Sequence, residues 1–430
     1  MIADQIYSLF KNSAGVNTDS RNIKKNEMFF ALWGEKHNGN KYAAEALEKG
    51  ALCAVIDDPA FETDGTILVD DTLLELQALA LHHRKALNTP ILAITGTNGK
   101  TTTKELIASV LSKRNKVHYT KGNLNNHIGT PLTILSAPSD TEIMVIEMGA
   151  SHIGEIRTLC NIVRPNYGII TNIGTAHIEG FGSFEGTIRA KTELYEYLQK
   201  MNGLALYNEL NPLLCEKISD IAVRAVTYSC PKGIELNVES LESDIFLKLK
   251  TVYNNKEYII NTNLFGFYNV ENIKAAIATG LFFNIPMEEI VSAVEEYNPE
   301  NNRSQIKSTS KNVLICDSYN ANPTSMTTAL RSFSKLKGDN KAVVLGDMLE
   351  LSEKSEQEHF KILQEINYLK PENVFLVGQT FGRIAVNLGY TLFEDAKMLR
   401  NYFNDREIKG FTILIKGSRG IGLEKLYDVL

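Results

Sequence analysis

The run TPILAIT (residues 89–95) passes straight into GTNGKTTTKE (residues 96–105), and this join decides the fold. An apolar segment opened by Pro90 reads as a buried strand. Leu106, Ile107, Val110 and Leu111 then recur at helical spacing. Between strand and helix, Gly96 and Gly99 let the backbone curl so that successive N–H groups point at one anion. The helix N-terminus adds favourable partial charge, Lys100 can reach outer phosphates, and Thr101 can ligate Mg²⁺. Spacing departs from G-x-x-x-x-G-K-[ST], because the first glycine stands three residues before the second and not five.

Outward from this join, the chain of 430 residues suggests about three domains. Residues 1–85 alternate short apolar runs (MFFAL, ALCAVI, TILVD) with helical stretches such as 42–49, the pattern of a small α/β module. LLELQALALHHRKAL (residues 73–87) reads as a helix leading into the next block. Residues 86–300 continue with EIMVIEM and YGIITNI, separated by helical segments, the βαβ rhythm of a buried parallel sheet. RAVTYS, IFLKLKTVY and KEYIIN, between 222 and 262, read as a small antiparallel appendage. NPENNRSQ (residues 298–305) reads as a linker. Beyond it, in residues 301–430, NVLICDSY, KAVVLGD, NVFLVG and FTILIKG alternate with helices, as in a doubly wound fold.

Composition narrows the function. With 45 Lys plus Arg against 51 Asp plus Glu the formal charge is -6, which disfavours a nucleic-acid coat built on neutralised phosphates. Cys53, Cys160, Cys215, Cys230 and Cys316 are odd in number and never paired as C-x-x-C, the usage of a reduced, cytoplasmic protein. No secretory signal is legible at the N-terminus, and the longest uncharged apolar stretch, 275–287, falls short of the ~20 residues a membrane span needs.

Phosphoryl chemistry calls for Mg²⁺ ligands at strand tips beside the loop. Glu147 ends EIMVIEM, and His177 follows YGIITNI. A lone histidine at a strand end is commonly structural, while its place after a second parallel strand favours function. Lys191, in IRAKTEL, reads by pattern as an exposed helical lysine. Arg303 reads equally as a solvated linker charge and as a cation that reaches phosphates on domain closure, and Asp317 is a strand-tip carboxylate of the same ambiguity. GSRGIG (residues 417–422) imitates a dinucleotide fingerprint, but the eight residues after it leave no room for a βαβ unit. Lys416 and Arg419 there could still bind a carboxylate or phosphate.

The ordered series TDSR, FFALWGEKHNG, TGTNGKTTTKE, KGNLNNHIGTPLT, EMGASHIGEI, TNIGTAHIEGFGS, AKTEL, LFGFYNVENIKAAIA, NRSQ, DSYNANPTSM, LGDMLELS and LIKGSRG resembles the Mur ligases. These are ATP-dependent amide-bond-forming enzymes of bacterial cell-wall precursor synthesis, and their shortened G-x-x-G-K-T loop matches the spacing here. The resemblance implies three domains: a central P-loop, parallel-sheet ATPase domain, a small N-terminal α/β domain for the UDP substrate, and a C-terminal Rossmann-like domain for the amine donor. YNANP and GDMLEL resemble the branch that adds D-alanyl-D-alanine to a UDP-N-acetylmuramoyl tripeptide through an acyl phosphate. The alternatives are a sibling adding another amino acid and a catalytically silent nucleotide-gated binding protein.

Site residues follow by motif position. ATP contacts are expected at Gly96, Thr97, Asn98, Gly99, Lys100, Thr101, Thr102, Asn269, Asn272, Arg303 and Asp317, with Tyr268 standing where the family carries a histidine. Two Mg²⁺ ions are expected on Thr101, Glu147, His177 and Lys191, the last as a carbamate. Ser20 and Arg21 match the UDP contact, Asn123, Asn125 and Asn126 the muramoyl region, and Asn320 and Asn322 further substrate contacts. A monomer is expected, with small-molecule substrates, no nucleic acid and no membrane span.

Overall fold

In the computed structural model, which describes residues 2–35, 37–175, 178–242 and 244–430, TPILAIT forms the strand Ile91–Thr95 and the helix Lys100–Leu111 follows the glycine loop. This strand is buried along its whole length, as its unbroken apolar run requires of a strand covered on both faces. It lies within a six-stranded sheet ordered Ala225–Thr227, Leu204–Tyr207, Tyr167–Ile170, Ile91–Thr95, Ile143–Glu147 and Val117–Tyr119, parallel throughout. The chain leaves Ile91–Thr95 for the edge strand Val117–Tyr119, returns to Ile143–Glu147, and only then crosses to Tyr167–Ile170. That reversal opens a crevice at the carboxyl ends of three central strands, where open α/β sheets take their ligands.

RAVTYS corrects the expectation of an appendage: it is the edge strand Ala225–Thr227, parallel to Leu204–Tyr207. A three-residue run carries no orientation signal. The intervening helix Pro212–Ile221 supplies the crossover that makes the pairing parallel. The antiparallel appendage is instead Leu236–Leu241, Lys248–Tyr253 and Lys256–Asn261.

Alternation along the strands divides the core into faces. Leu92 and Ile94 pack with Leu106, Ile107 and Ile273, whereas Ile91 and Ala93 turn to Ile134, Leu159 and Leu194. The second cluster runs on through Leu76 and Leu79 of the helix Thr72–Leu87 into Ile6, Met28, Phe30 and Val55. The last three belong to the N-terminal parallel sheet, ordered Val16–Asn17, Met28–Phe30, Cys53–Ile56 and Thr66–Leu68. One continuous core therefore joins the first two domains.

The C-terminal sheet is ordered Gln305–Ser308, Val313–Asp317, Thr412–Lys416, Lys341–Gly346, Asn373–Val377 and Thr391–Phe393, with the first strand antiparallel and the rest parallel. Helices Pro323–Ser334 and Ser355–Leu369 cover one face and Ala396–Asp405 the other, which is the doubly wound arrangement. Gln305 already belongs to this sheet, so the connection from the helix Met287–Glu296 is residues 297–304. Among the described residues no helix is long and apolar enough to cross a membrane. The five cysteines are free thiols.

Candidate active site

A cavity of about 940 Å³ lies where the three domains face one another, with Gln77, Lys100, Glu147, Asn272, Arg303 and Asp317 in its wall. The phosphate loop forms its floor. Thr97 N–H donates to Asn172 O at 2.9 Å, Asn98 N–H to Asn172 Oδ1 at 3.0 Å, and Thr171 Oγ1 to Asn98 O at 2.7 Å. These bonds tie the loop to the segment that follows the strand Tyr167–Ile170. Gly99 sits at φ +79°, and a Cβ there would overlap Asn272 Oδ1, so only glycine fits both the conformation and the space. The helix Lys100–Leu111 has no side-chain cap, which leaves its first amides open to an anion.

Lys100 Nζ donates to two loop carbonyls, Gly96 O at 2.8 Å and Thr97 O at 3.0 Å. Protein surrounds it on every side but the cavity. Desolvation pushes its pKa down to about 8, with Glu147 opposing the fall and the charge of Arg303 adding to it. Two cations thus face one empty space. Thr101 and Thr102 are buried in the first helical turn and line the same cavity.

Glu147 closes the strand Ile143–Glu147 and is 1% exposed. Its Oε1 accepts from Asn125 Nδ2 at 2.8 Å, while Oε2 is buried without a hydrogen-bond partner. A buried carboxylate oxygen without a hydrogen-bond donor, in the wall of the cavity that Thr101 also lines, suits a hard cation that completes its shell with water and phosphate oxygens. Among the described residues no three His, Cys, Asp or Glu side chains converge into a ready-made metal cage. His177 lies outside the described residues.

Lys191 overturns the expectation of an exposed lysine: it is 2% exposed, 3.4 Å from Ala150 O, with Nζ 5.2 Å from the centre of the Phe181 ring. Burial pushes its pKa down to about 7, helped by the charge of Lys100 and opposed by Glu155 and Glu193. The reason lies in its face of the helix Phe184–Lys200, where Thr187, Ala190, Leu194, Tyr195 and Leu198 are also buried.

From the opposite side, Arg303 stacks on Tyr319 with its guanidinium carbon 3.8 Å from the ring centre. It is half-buried in the cavity wall, not a freely solvated linker charge. Asp317 accepts from Ser304 N–H at 3.1 Å and from Lys416 Nζ at 2.6 Å. Asn269 and Asn272 are buried and bonded to each other at 2.8 Å, and Asn272 Oδ1 accepts from Thr103 Oγ1 at 3.0 Å. Asn322 caps the helix Pro323–Ser334 and donates to Asn98 Oδ1 at 2.8 Å, linking the C-terminal domain to the phosphate loop. Asn123, Asn125, Asn126 and Asn320 line the cavity as well.

Ser20 and Arg21 are not brought to this wall. Arg21 is exposed on the N-terminal domain and paired with Asp19 at 2.8 Å, and Ser20 O accepts from Lys49 Nζ at 3.0 Å. In GSRGIG, a Cβ at Gly417 would stand 2.9 Å from Gly346 Cα, so that glycine serves the close approach of two strand ends.

Two residues, Lys104 and Tyr319, and the contact made by Tyr268 are not legible as site features in the sequence. Lys104 is fully buried, with Nζ 3.4 Å from Glu105 Oε1 and 3.8 Å from Glu147 Oε2. Its spacing to Ile107, Ala108 and Leu111 places it on the apolar helix face, and that was the available signal. Tyr268 OH meets Ser304 Oγ at 2.8 Å across the interdomain connection, and Tyr319 carries Arg303. Neither of those contacts has a local sequence signature.

Fold and site together define a three-domain α/β protein whose phosphate loop is faced by groups from another domain. Descriptions of three domains match the chain in order: "Mur ligase family, catalytic domain" over residues 12–106, "Mur ligase middle domain" over 94–280, and "Mur ligase, glutamate ligase domain" over 302–419. The UDP-N-acetylmuramoyl-tripeptide–D-alanyl-D-alanine ligase of Bacillus subtilis is 36% identical, spanning 96% of this chain and 92% of that protein. The Escherichia coli ligase of the same name is 30% identical, over 96% and 93%. Among solved structures, MurF from Acinetobacter baumannii superposes with a TM-score of 0.84 at 29% identity, covering 96% of this chain and 92% of that one. MurF ligase from Thermotoga maritima, solved with ADP, shares the fold at TM-score 0.85 and 23% identity, over 98% and 97%. The chain belongs to the Mur ligase family.

Proposed function

We propose that this chain is the ATP-dependent ligase that joins D-alanyl-D-alanine to a UDP-N-acetylmuramoyl tripeptide, acting in the cytoplasm on peptidoglycan precursors. The observation that carries this reading is the meeting of Lys100, Glu147, Arg303 and Asp317 in one cavity, in a chain 36% identical to a ligase of that name. The tripeptide carboxylate attacks the γ-phosphate, giving an acyl phosphate and ADP. The dipeptide amine then attacks the activated carbonyl and phosphate leaves.

Each step gathers negative charge on oxygens between crowded anions, so fixed donors in a site shielded from water stabilise it strongly. Loop amides and Lys100 would hold the β- and γ-phosphates, with Lys100 exchanging its two carbonyl partners for phosphate oxygens. Arg303 would meet the transferred group from the facing side. Asn269 and Asn272 support the adenine end, Asp317 the ribose, and Asn123, Asn125 and Asn126 the muramoyl end. Ser20 and Arg21 remain candidates for the UDP moiety on the N-terminal domain.

Thr101 and Glu147 would hold Mg²⁺, whose charge screens the phosphates from the incoming carboxylate. Lys191 is proposed as a carbamate at the second ion with Glu147 and His177. Its support is chemical: a buried amine with a pKa of about 7 is substantially neutral at cellular pH, and the neutral amine is the form that adds to CO₂ with release of a proton. The test incubates the protein with ATP, Mg²⁺ and UDP-N-acetylmuramoyl tripeptide. Phosphate release that depends on D-alanyl-D-alanine supports the reading, and dependence on a different amino acid, or nucleotide binding without turnover, sinks it.

A further inference from the structure

We infer that Tyr319 is the positioning residue of Arg303: its ring face fixes the guanidinium toward the phosphate site, and its hydroxyl has no part in this. The inference rests on the reading of Arg303 as a phosphate contact.

Arg303 lies in the connection between domains, in a stretch where Asn301, Asn302 and Ser304 all have positive φ (62°, 56° and 52°). Such a segment has no regular hydrogen-bond ladder to hold a long side chain. The stretch is instead fastened to one place. Tyr319 N–H donates to Asn302 O at 3.3 Å, and Ser304 N–H donates to Asp317 Oδ1 at 3.1 Å. Between those two anchors the Arg303 guanidinium carbon sits 3.8 Å from the centre of the Tyr319 ring. Its Nε is buried and has no hydrogen-bond acceptor, and among the described residues no carboxylate pairs with it. The ring is therefore the contact that orients the cation.

That arrangement suits an anion-binding arginine. A carboxylate partner would occupy the guanidinium fork and compete with phosphate, whereas a ring face attracts the cation through its quadrupole and leaves the N–H edges free. The Tyr319 hydroxyl makes no hydrogen bond to a described residue, so the ring alone is at work. Because Tyr319 follows the strand Val313–Asp317, Arg303 travels with the C-terminal domain although it stands in the connection.

The experiment uses the full-length protein with Mg²⁺ and a non-hydrolysable ATP analogue, with the dissociation constant measured by calorimetry. Phenylalanines carrying none, one, two and three ring fluorines replace Tyr319, which drains the ring's negative face while keeping its shape. Affinity should stay close to wild type in Tyr319→Phe and fall stepwise with fluorination, to a total of roughly tenfold. Tyr319→Leu should lose a similar factor, and should lose nothing further in an Arg303→Gln background. A flat fluorine series, or a full Tyr319→Leu loss that persists without Arg303, overturns the positioning role while leaving the phosphate reading intact. Unchanged affinity and turnover in Arg303→Gln alone would instead remove the phosphate reading, and the positioning role with it.

Discussion

Gly99→Ala is a one-methyl change whose cost can be built from the loop itself. Residue 99 sits at φ +79°, and holding an L-residue in left-handed geometry costs about 1–2 kcal/mol. The added Cβ would overlap Asn272 Oδ1, with Asn272 Cγ at 3.2 Å and Nδ2 at 3.3 Å, so the amide must move. Asn272 is not free to do so. It accepts from Thr103 Oγ1 at 3.0 Å and donates to Asn269 Oδ1 at 2.8 Å, both buried. Breaking a satisfied buried pair costs ~1–3 kcal/mol, so the two terms together come to about 3 kcal/mol. Urea unfolding should show that loss wherever the loop unfolds with the domain. ADP affinity should fall by up to about a hundredfold, because binding must first restore the loop. Asn272→Gly removes the overlap together with the Asn272 hydrogen bonds, so measured against Asn272→Gly alone the added methyl should cost only the backbone term of about 1–2 kcal/mol in the unfolding measurement. A Gly99→Ala protein within about 0.5 kcal/mol of wild type, or a methyl that costs as much in the Asn272→Gly background as in wild type, would refute the reasoning.

Three other outcomes are expected. Lys191→Ala should lose most turnover and regain part of it with added short carboxylates; near-wild-type turnover would exclude the carbamate. Lys100 has a pKa of about 8 in the empty site and should be held protonated against bound phosphates, so ADP affinity should fall as pH rises through 8, by about tenfold per unit, in calorimetry across pH 7–9.5. An affinity flat over that range would show that the lysine does not meet the nucleotide. Lys104→Met should destabilise the protein by about 3 kcal/mol in urea, because Glu105 and Glu147 lose the buried cation between them. A neutral effect would mean that their charges are compensated elsewhere.

The position of much of the candidate site was legible because its sequence patterns are local. GTNGKTTT needs only a strand before it and a helix after it to become a phosphate loop, and Glu147 needs only to end a buried strand. Pattern alone reads Lys191 as exposed because lysine is a surface residue type, while the stripe Thr187, Ala190, Leu194, Tyr195 and Leu198 marks its helix face as inward. RAVTYS pairs in parallel with Leu204–Tyr207 because direction is imposed by the crossover before it, which three residues do not encode. Contacts across domains, such as Asn98 to Asn322 and Arg303 to Tyr319, depend on how separate sheets meet. No local pattern encodes that.

The uninterrupted core beneath the first two domains has a mechanical consequence. Ile6, Met28, Leu76, Ile91, Met144 and Ile170 belong to one apolar cluster, so prising the N-terminal sheet off the ATPase sheet means opening that cluster to water. The C-terminal domain keeps its own two clusters and takes Phe265 from its neighbour. By architecture there are three bodies, but as levers there are two: a heavy stator holding nucleotide loop and N-terminal sheet together, and a lighter rotor hung on residues 297–304. A protease nick in that hanger should release two fragments that each stay folded, whereas a nick near residue 85, inside the helix Thr72–Leu87, should unravel the stator.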